Sequence, residues 1–127
     1  MRFTLKHLVL FDIDGTLLWP DGAGRTALKV ALERTYGTAG IIDTYGFAGR
    51  TDREIARDVL GAIGLPLSVI WQKFGQLEEV MAQELTDRLG RGEHNIKPCP
   101  GGPALVSHLA QRDDTLLGLL TGNLRKT

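Results

Sequence analysis

The segment Phe11-Asp12-Ile13-Asp14-Gly15-Thr16 decides the fold of this chain. It begins at the end of the apolar run Leu8–Phe11, which predicts a short strand that leads into a polar loop. A continuous apolar run of this kind is typical of a strand that is buried on both faces of a parallel sheet. Since open α/β sheets bind ligands at the carboxyl ends of their strands, we expect the loop to carry the chemistry.

The residue types in this loop suit a nucleophilic reaction assisted by a metal ion. One aspartate can attack as a nucleophile, and a second can act as general acid and base. Carboxylate and carbonyl oxygens suit a hard cation, and the loop should also offer free backbone N–H groups to an anion. Gly15 permits a sharp turn, and the Thr16 hydroxyl can orient a carboxylate. The alternative is an ordinary turn that ends a strand, since Asp and Gly are common turn residues.

A second apolar strand is predicted at Leu116–Leu120, and it ends at Thr121-Gly122-Asn123. The segment that begins at Pro100 and contains Gly101, Gly102 and Pro103 should open a helix before this strand. Together with the first strand, these elements predict an α/β layer whose parts are separated by a long insert.

The insert, residues 21–95, has a helical pattern. A first helix is predicted at Arg25–Tyr36, and a second should run from Thr51 as N-cap to about Ile63, with Glu54 completing a capping box. Ser68 is expected to cap a third helix, which should end at Gly90. The apolar positions of this helix recur at spacings of three and four: Leu67, Ile70, Phe74, Leu77, Met81, Leu85 and Leu89.

The segment 11–16 resembles the first motif of the haloacid dehalogenase (HAD) superfamily of hydrolases. This resemblance implies that Asp12 is the nucleophile that forms an aspartyl-phosphate and that Asp14 is the general acid and base. Mg²⁺ would bind the Asp12 carboxylate and the Asp14 backbone carbonyl. Thr121-Gly122-Asn123 resembles the second motif, so that Thr121, with Gly122, Asn123 and Thr16, would bind the phosphoryl group.

The insert resembles the helical cap of relatives such as phosphoglycolate phosphatase and β-phosphoglucomutase. The resemblance implies a HAD-like α/β core at residues 1–20 and 96–127 and a helical cap at residues 21–95. In those relatives the loop equivalent to residues 47–52 reaches the substrate, so Arg50 would bind an anionic group. An exposed arginine beside a helix start is the alternative for Arg50.

Composition limits the classes of partner. Lys and Arg together number 15 and so do Asp and Glu, which gives no net attraction to nucleic acid or to an anionic membrane. The run Leu8–Phe11 is too short for a signal-peptide core or a membrane span. We therefore expect a cytoplasmic protein, and the resemblance implies that it acts on a small phosphorylated metabolite. The single cysteine, Cys99, is expected to be structural.

The chain departs from the HAD pattern near its end. Relatives continue to a lysine and an acidic pair after the second motif, whereas this sequence ends at Thr127, and Lys126 lies too close to Thr121 to replace that lysine. We therefore expect a truncated core and an inactive chain. The leading function is a Mg²⁺-dependent phosphomonoester phosphatase. A β-phosphoglucomutase-like phosphomutase and a non-catalytic chain that binds a phosphorylated ligand remain alternatives.

Overall fold

The computed structural model describes residues 4–124. The elements are β1 (His7–Phe11), β2 (Leu18–Trp19), α1 (Ala23–Tyr36), a 3₁₀ turn (Ile42–Thr44), α2 (Asp52–Gly61), α3 (Leu67–Gln72), α4 (Phe74–Gly90), β3 (Lys97–Pro98), α5 (Gly102–Ala110) and β4 (Thr115–Leu119). Two compact units divide the chain. The first contains the described residues up to Asp21 and the segment Asn95–Thr121, and the second contains Gly22–His94 and the described residues after Thr121. Within residues 4–124, every helix is too short or too polar to cross a membrane.

The first unit is built on a parallel pair of strands. β1 and β4 pair in parallel with Leu8 opposite Leu116 and Phe11 opposite Leu119. A second, antiparallel pair joins β2 to β3. The predicted α/β fold with parallel strands is therefore confirmed, whereas the short β2–β3 pair was not predicted from the sequence.

The expectation that β1 is buried on both faces is wrong for this structure. Leu8 is 62% exposed and Leu10 is 48% exposed. A strand is buried in this way when neighbouring strands flank it and helices cover both faces of the sheet. Within residues 4–124, β1 pairs with β4 alone, so much of its apolar surface faces solvent.

The second unit is helical and holds most of the buried apolar side chains. α1 packs along α4, and α2 and α3 pack together. The core cluster includes Leu28, Leu32, Ile55, Leu60, Ile70, Leu77, Met81 and Leu124. Tyr36 joins two of these helices by donating its hydroxyl to the carbonyl of Ile70 at 2.7 Å.

The predicted helices form with altered ends. The Thr51 hydroxyl accepts the N–H of Glu54 at 3.1 Å, which confirms the predicted N-cap, although α2 ends at Gly61. Ser68 does not cap α3, because the extended Pro66 precedes the helix and its carbonyl accepts the N–H of Val69 and Ile70.

The predicted third helix is divided into α3 and α4 at Lys73. Its backbone, at φ −97° and ψ 3°, leaves the helical region, so α3 ends there. The Lys73 carbonyl then accepts the N–H of Leu77 at 3.1 Å and starts α4. The apolar periodicity continues through the break, and for this reason the sequence pattern does not reveal it.

Asp21 lies where the chain leaves the first unit, and Asn95 where it returns. Asp21 has a positive φ of 53°, which is uncommon for a residue with a side chain. Its carboxylate accepts the backbone N–H of Asn95 at 2.8 Å. This bond ties the two crossing segments together within the first unit.

Candidate active site

The loop that follows β1 is tightly folded. The carbonyl of Ile13 accepts backbone N–H groups from Thr16, Leu17 and Leu18 at 2.9–3.2 Å. Gly15 donates its own N–H to the carbonyl of Leu18 at 2.8 Å and has a φ of 77°. This left-handed backbone favours glycine, so Gly15 permits the turn that brings the two aspartates out of the strand.

The loop differs from expectation in its backbone N–H groups. The sequence predicted free amides that could bind an anion, but those of Gly15 and Thr16 are used within the turn. Ion binding by these two groups would break the hydrogen bonds that shape the loop. The predicted anion site therefore cannot be assigned to these two amides.

Two side chains of the loop interact with the Asp12 carboxylate. The Thr16 hydroxyl donates a hydrogen bond to Asp12 Oδ2 at 3.3 Å. Partial desolvation raises the pKa of the Asp14 carboxyl above its ordinary value of 3.8, and the neighbouring Asp12 charge raises it further. Asp14 therefore holds a proton more readily than an isolated aspartate does, as a general acid must.

The same edge of the first unit also presents Thr121. Phe11 and Leu119 are register partners at the carboxyl ends of β1 and β4. Leu120 donates its N–H to the carbonyl of Phe11 at 2.8 Å, so the parallel pairing continues as far as the residues that precede Asp12 and Thr121. Backbone pairing thus brings Asp12, Asp14, Thr16 and Thr121 to one edge, although 109 positions separate the first from the last.

The oxygen donors at this edge are of the kind that fits a magnesium ion. Carboxylate and carbonyl oxygens are its preferred ligands, and the ion commonly keeps several waters when only one or two carboxylates bind it. Among residues 4–124, no group of three or more His, Cys, Asp or Glu side chains is arranged to hold a metal. Lys126 was expected to lie too close to Thr121 to replace the lysine of HAD relatives. It is outside the described residues.

Arg50 belongs to the second unit and is held by side chains of that unit. Its Nη1 donates to Tyr45 Oη at 2.8 Å and lies 3.5 Å from Asp58 Oδ2 and 3.7 Å from Glu54 Oε1. Tyr45 in turn donates a short hydrogen bond to Asp58. This bond and the one from Arg57 lower the pKa of Asp58. The Arg50 guanidinium is therefore partly exposed and is held by side chains of its own unit.

Gly122 and Asn123 also belong to the second unit, where Asp52 anchors the segment that contains them. Asp52 donates its N–H to the carbonyl of Gly122 at 2.8 Å, and its Oδ2 accepts the N–H of Leu124 at 3.2 Å. Asp52 is only 9% exposed. The sequence gives no signal of these bonds, because the partners of Asp52 lie about seventy positions further along the chain.

The parallel strands and the acidic loop define a class: an α/β protein whose candidate site lies at the carboxyl ends of β1 and β4. Solved structures of the same class are similar to this chain. One is a HAD hydrolase of family IA, variant 3, from Entamoeba histolytica, with a TM-score of 0.53 at 19% identity. Another, from Lactobacillus plantarum, is described as a phosphoglycolate phosphatase and has a TM-score of 0.51 at 26% identity.

These neighbours confirm the HAD-like fold predicted from the two motifs. The matches cover 93% and 96% of this chain but 49% and 52% of the two neighbours, so the chain spans about half their length. No protein-family model matches the chain. No curated protein matches it either.

Proposed function

We propose that this chain carries the nucleophile half of a Mg²⁺-dependent phosphomonoester phosphatase that acts on a small phosphorylated metabolite. The observation that carries the proposal is the pairing of β1 with β4. Asp12 and Asp14 follow β1 and Thr121 follows β4, so this pairing supports a site at the carboxyl ends of the two strands. The name of the Lactobacillus neighbour, which is 26% identical to this chain, supports a phosphatase reaction.

In the proposed reaction the Asp12 carboxylate attacks phosphorus while the bond to the leaving oxygen breaks. Asp14 gives its proton to that oxygen, and its raised pKa favours the protonated form that this step requires. Asp14 then accepts a proton from the water that attacks the aspartyl-phosphate, which releases inorganic phosphate and restores Asp12. The Thr16 hydroxyl holds the Asp12 carboxylate in one orientation throughout.

The remaining residues hold the phosphoryl group and the metal. Thr121, Gly122 and Asn123 would bind the phosphoryl oxygens. The Asp12 carboxylate and the Asp14 carbonyl would hold Mg²⁺, whose chemistry is to offset negative charge on the phosphoryl group. Arg50 would bind an anionic group of the substrate through its planar guanidinium. To do so it must share or exchange its contacts with Asp58 and Glu54.

The test separates phosphoryl acceptance from turnover. Fluoroberyllate forms a tetrahedral adduct on an aspartate carboxylate and imitates the aspartyl-phosphate, and ¹⁹F NMR detects the bound form without any turnover. We expect a bound resonance that requires Mg²⁺, disappears with EDTA and is absent in Asp12→Asn. Asp43→Asn is the matched control, because Asp43 is an exposed carboxylate that pairs with Lys29 in the other unit.

Phosphate release from a panel of small phosphomonoesters then distinguishes the functions. Release that requires Mg²⁺ and Asp12 supports the phosphatase, and isomerised sugar phosphate supports the phosphomutase. A bound fluoroberyllate without release from any substrate supports a chain that binds a phosphorylated ligand without turnover. If the wild-type chain shows no bound resonance and releases no phosphate, the proposal is wrong.

A further inference from the structure

We infer that Asp52 is a positioning residue for the phosphoryl-binding segment, a role that it performs by fixing the backbone of Gly122–Leu124. This inference rests on the proposed function, since it concerns the segment that follows Thr121. The evidence lies within the second unit. Asp52 contacts the segment with both its backbone and its side chain.

The two hydrogen bonds of Asp52 fix the segment at both ends. The N–H of Asp52 donates to the carbonyl of Gly122 at 2.8 Å, and the carboxylate accepts the N–H of Leu124 at 3.2 Å. Asn123 lies between these two points. A backbone that is held on either side of a residue leaves that residue few alternative conformations, so Asn123 is preorganised.

Packing supports the same arrangement. Leu124 is 7% exposed and belongs to the apolar core cluster of the second unit. A Cβ atom on Gly122 would lie 3.0 Å from the Arg50 carbonyl oxygen and 3.1 Å from the Thr51 Cα. The absence of a side chain at Gly122 therefore allows the segment to approach the start of α2 closely enough for Asp52 to reach it.

The Asp52 carboxylate is buried, so it depends on its hydrogen bond to the segment. A buried carboxylate is costly unless hydrogen-bond donors compensate its charge, and the Leu124 amide is such a donor.

The experiment compares Asp52→Ala, Asp52→Asn and the matched control Glu84→Ala. Glu84 is another buried carboxylate of the second unit, and its removal weakens the contact between α1 and α4 while the Asp52 carboxylate stays in place. Two quantities are measured: the dissociation constant of Mg²⁺–fluoroberyllate by ¹⁹F NMR, and the hydrogen-exchange rate of the Leu124 amide by ¹⁵N NMR.

We expect Asp52→Ala to raise the dissociation constant by about tenfold to a hundredfold, because a hydrogen bond to a charged group is lost. The Leu124 amide should exchange faster in the same variant. Asp52→Asn keeps a carboxamide oxygen and should restore affinity to within about tenfold of the wild type. Glu84→Ala should leave both quantities close to the wild type while lowering the melting temperature.

The outcomes distinguish this inference from the proposed function. If the wild type neither binds fluoroberyllate nor releases phosphate, both are wrong. If the wild type binds and Asp52→Ala binds equally well with a protected Leu124 amide, the inference alone is wrong. Equal losses of affinity in Glu84→Ala and Asp52→Ala would attribute the effect to the stability of the second unit and would also overturn the inference.

Discussion

Nη1 of Arg50 lies 3.5 Å from Oδ2 of Asp58, and the two side chains share Tyr45 as a common partner. The guanidinium proposed to bind a substrate anion is therefore already held by a carboxylate within α2. Such contacts restrain the long arginine side chain in one region of space. They also compete with any substrate anion for the same positive charge.

Neutralising Asp58 should strengthen anion binding at Arg50. In Asp58→Asn the competing charge is lost, and we expect the dissociation constant of inorganic phosphate to fall roughly two- to fivefold, the usual scale for exposed ion pairs. Isothermal titration calorimetry at low ionic strength measures it. Asp43→Asn removes the same charge from the Lys29 pair on the same unit and should have little effect. Weaker phosphate binding in Asp58→Asn would contradict the competition.

The pKa of Asp14 should depend on Asp12 but not on Asp12 alone. Desolvation is the larger cause of the raised pKa and the Asp12 charge is the smaller one. We therefore expect Asp12→Asn to lower the Asp14 pKa by less than half of the wild-type shift, as measured by ¹³C NMR titration of the carboxyl. A pKa that returns to 3.8 in this variant would show that charge repulsion dominates.

The raised pKa also predicts the direction in which stability depends on pH. The folded chain binds the Asp14 proton more tightly than the unfolded chain, so folding stability falls as pH rises from about 3.8 through the raised pKa. Asp14→Asn lacks this group and should lose less stability over that window. Urea unfolding at several pH values, followed by circular dichroism, compares the two chains. An identical pH dependence would contradict the prediction.

Gly40 should tolerate substitution far less well than Gly37. Both have positive φ angles, of 58° and 78°, but a Cβ at Gly40 would overlap the Val59 carbonyl group whereas Gly37 has open space around it. We expect Gly37→Ala to cost about 1–2 kcal/mol, for the left-handed backbone alone. Gly40→Ala should cost more than about 3 kcal/mol. Thermal unfolding of the two variants tests this difference, and equal costs would show that the loop can shift.

Glu84 should be worth more to stability than an exposed acidic residue. It lies on α4 with its side chain 6% exposed, accepts from Arg88 Nε at 2.7 Å and pairs with Arg34 of α1 at 3.1 Å. Glu84→Ala leaves both arginines without this partner, and we expect a loss of about 1–3 kcal/mol. The low end applies if the exposed Arg34 is readily solvated. Urea denaturation measures the loss.

Glu93 provides the control for this prediction. It also pairs with Arg88, at 3.1 Å, but its side chain is 40% exposed. Solvent screens an exposed pair, so Glu93→Ala should have a clearly smaller effect on the unfolding free energy. A loss in Glu93→Ala as large as that in Glu84→Ala would indicate that burial does not set the strength of these pairs.

Several features of this protein could be predicted from the sequence because their causes are local. The apolar run before Asp12 and the run before Thr121 each predict a strand, and Thr51 with Glu54 predicts a helix start. Each pattern reflects the chemistry of neighbouring residues. The Asp-x-Asp-Gly-Thr loop is equally local, since its turn is closed by bonds among residues 13–18.

Exposure and helix continuity were less predictable. The sequence pattern of Leu8 and Leu10 is that of a buried strand, but their burial depends on what packs beside them. The break at Lys73 leaves the apolar spacing unchanged, so periodicity alone indicated one helix where the chain forms two. In both cases the spacing of apolar residues in the sequence does not indicate the feature that the structure has.

The sequence by itself determined the acidic loop, its strand and the helical character of the segment that follows, because short-range steric and hydrogen-bonding preferences specify them. Only the tertiary structure decided that β1 pairs with β4, that Arg50 is held by Tyr45 and Asp58, and that Asp52 anchors Gly122–Leu124. These contacts join residues that are distant in sequence or depend on one exact backbone path. They form only when the chain folds, and local sequence patterns do not predict them.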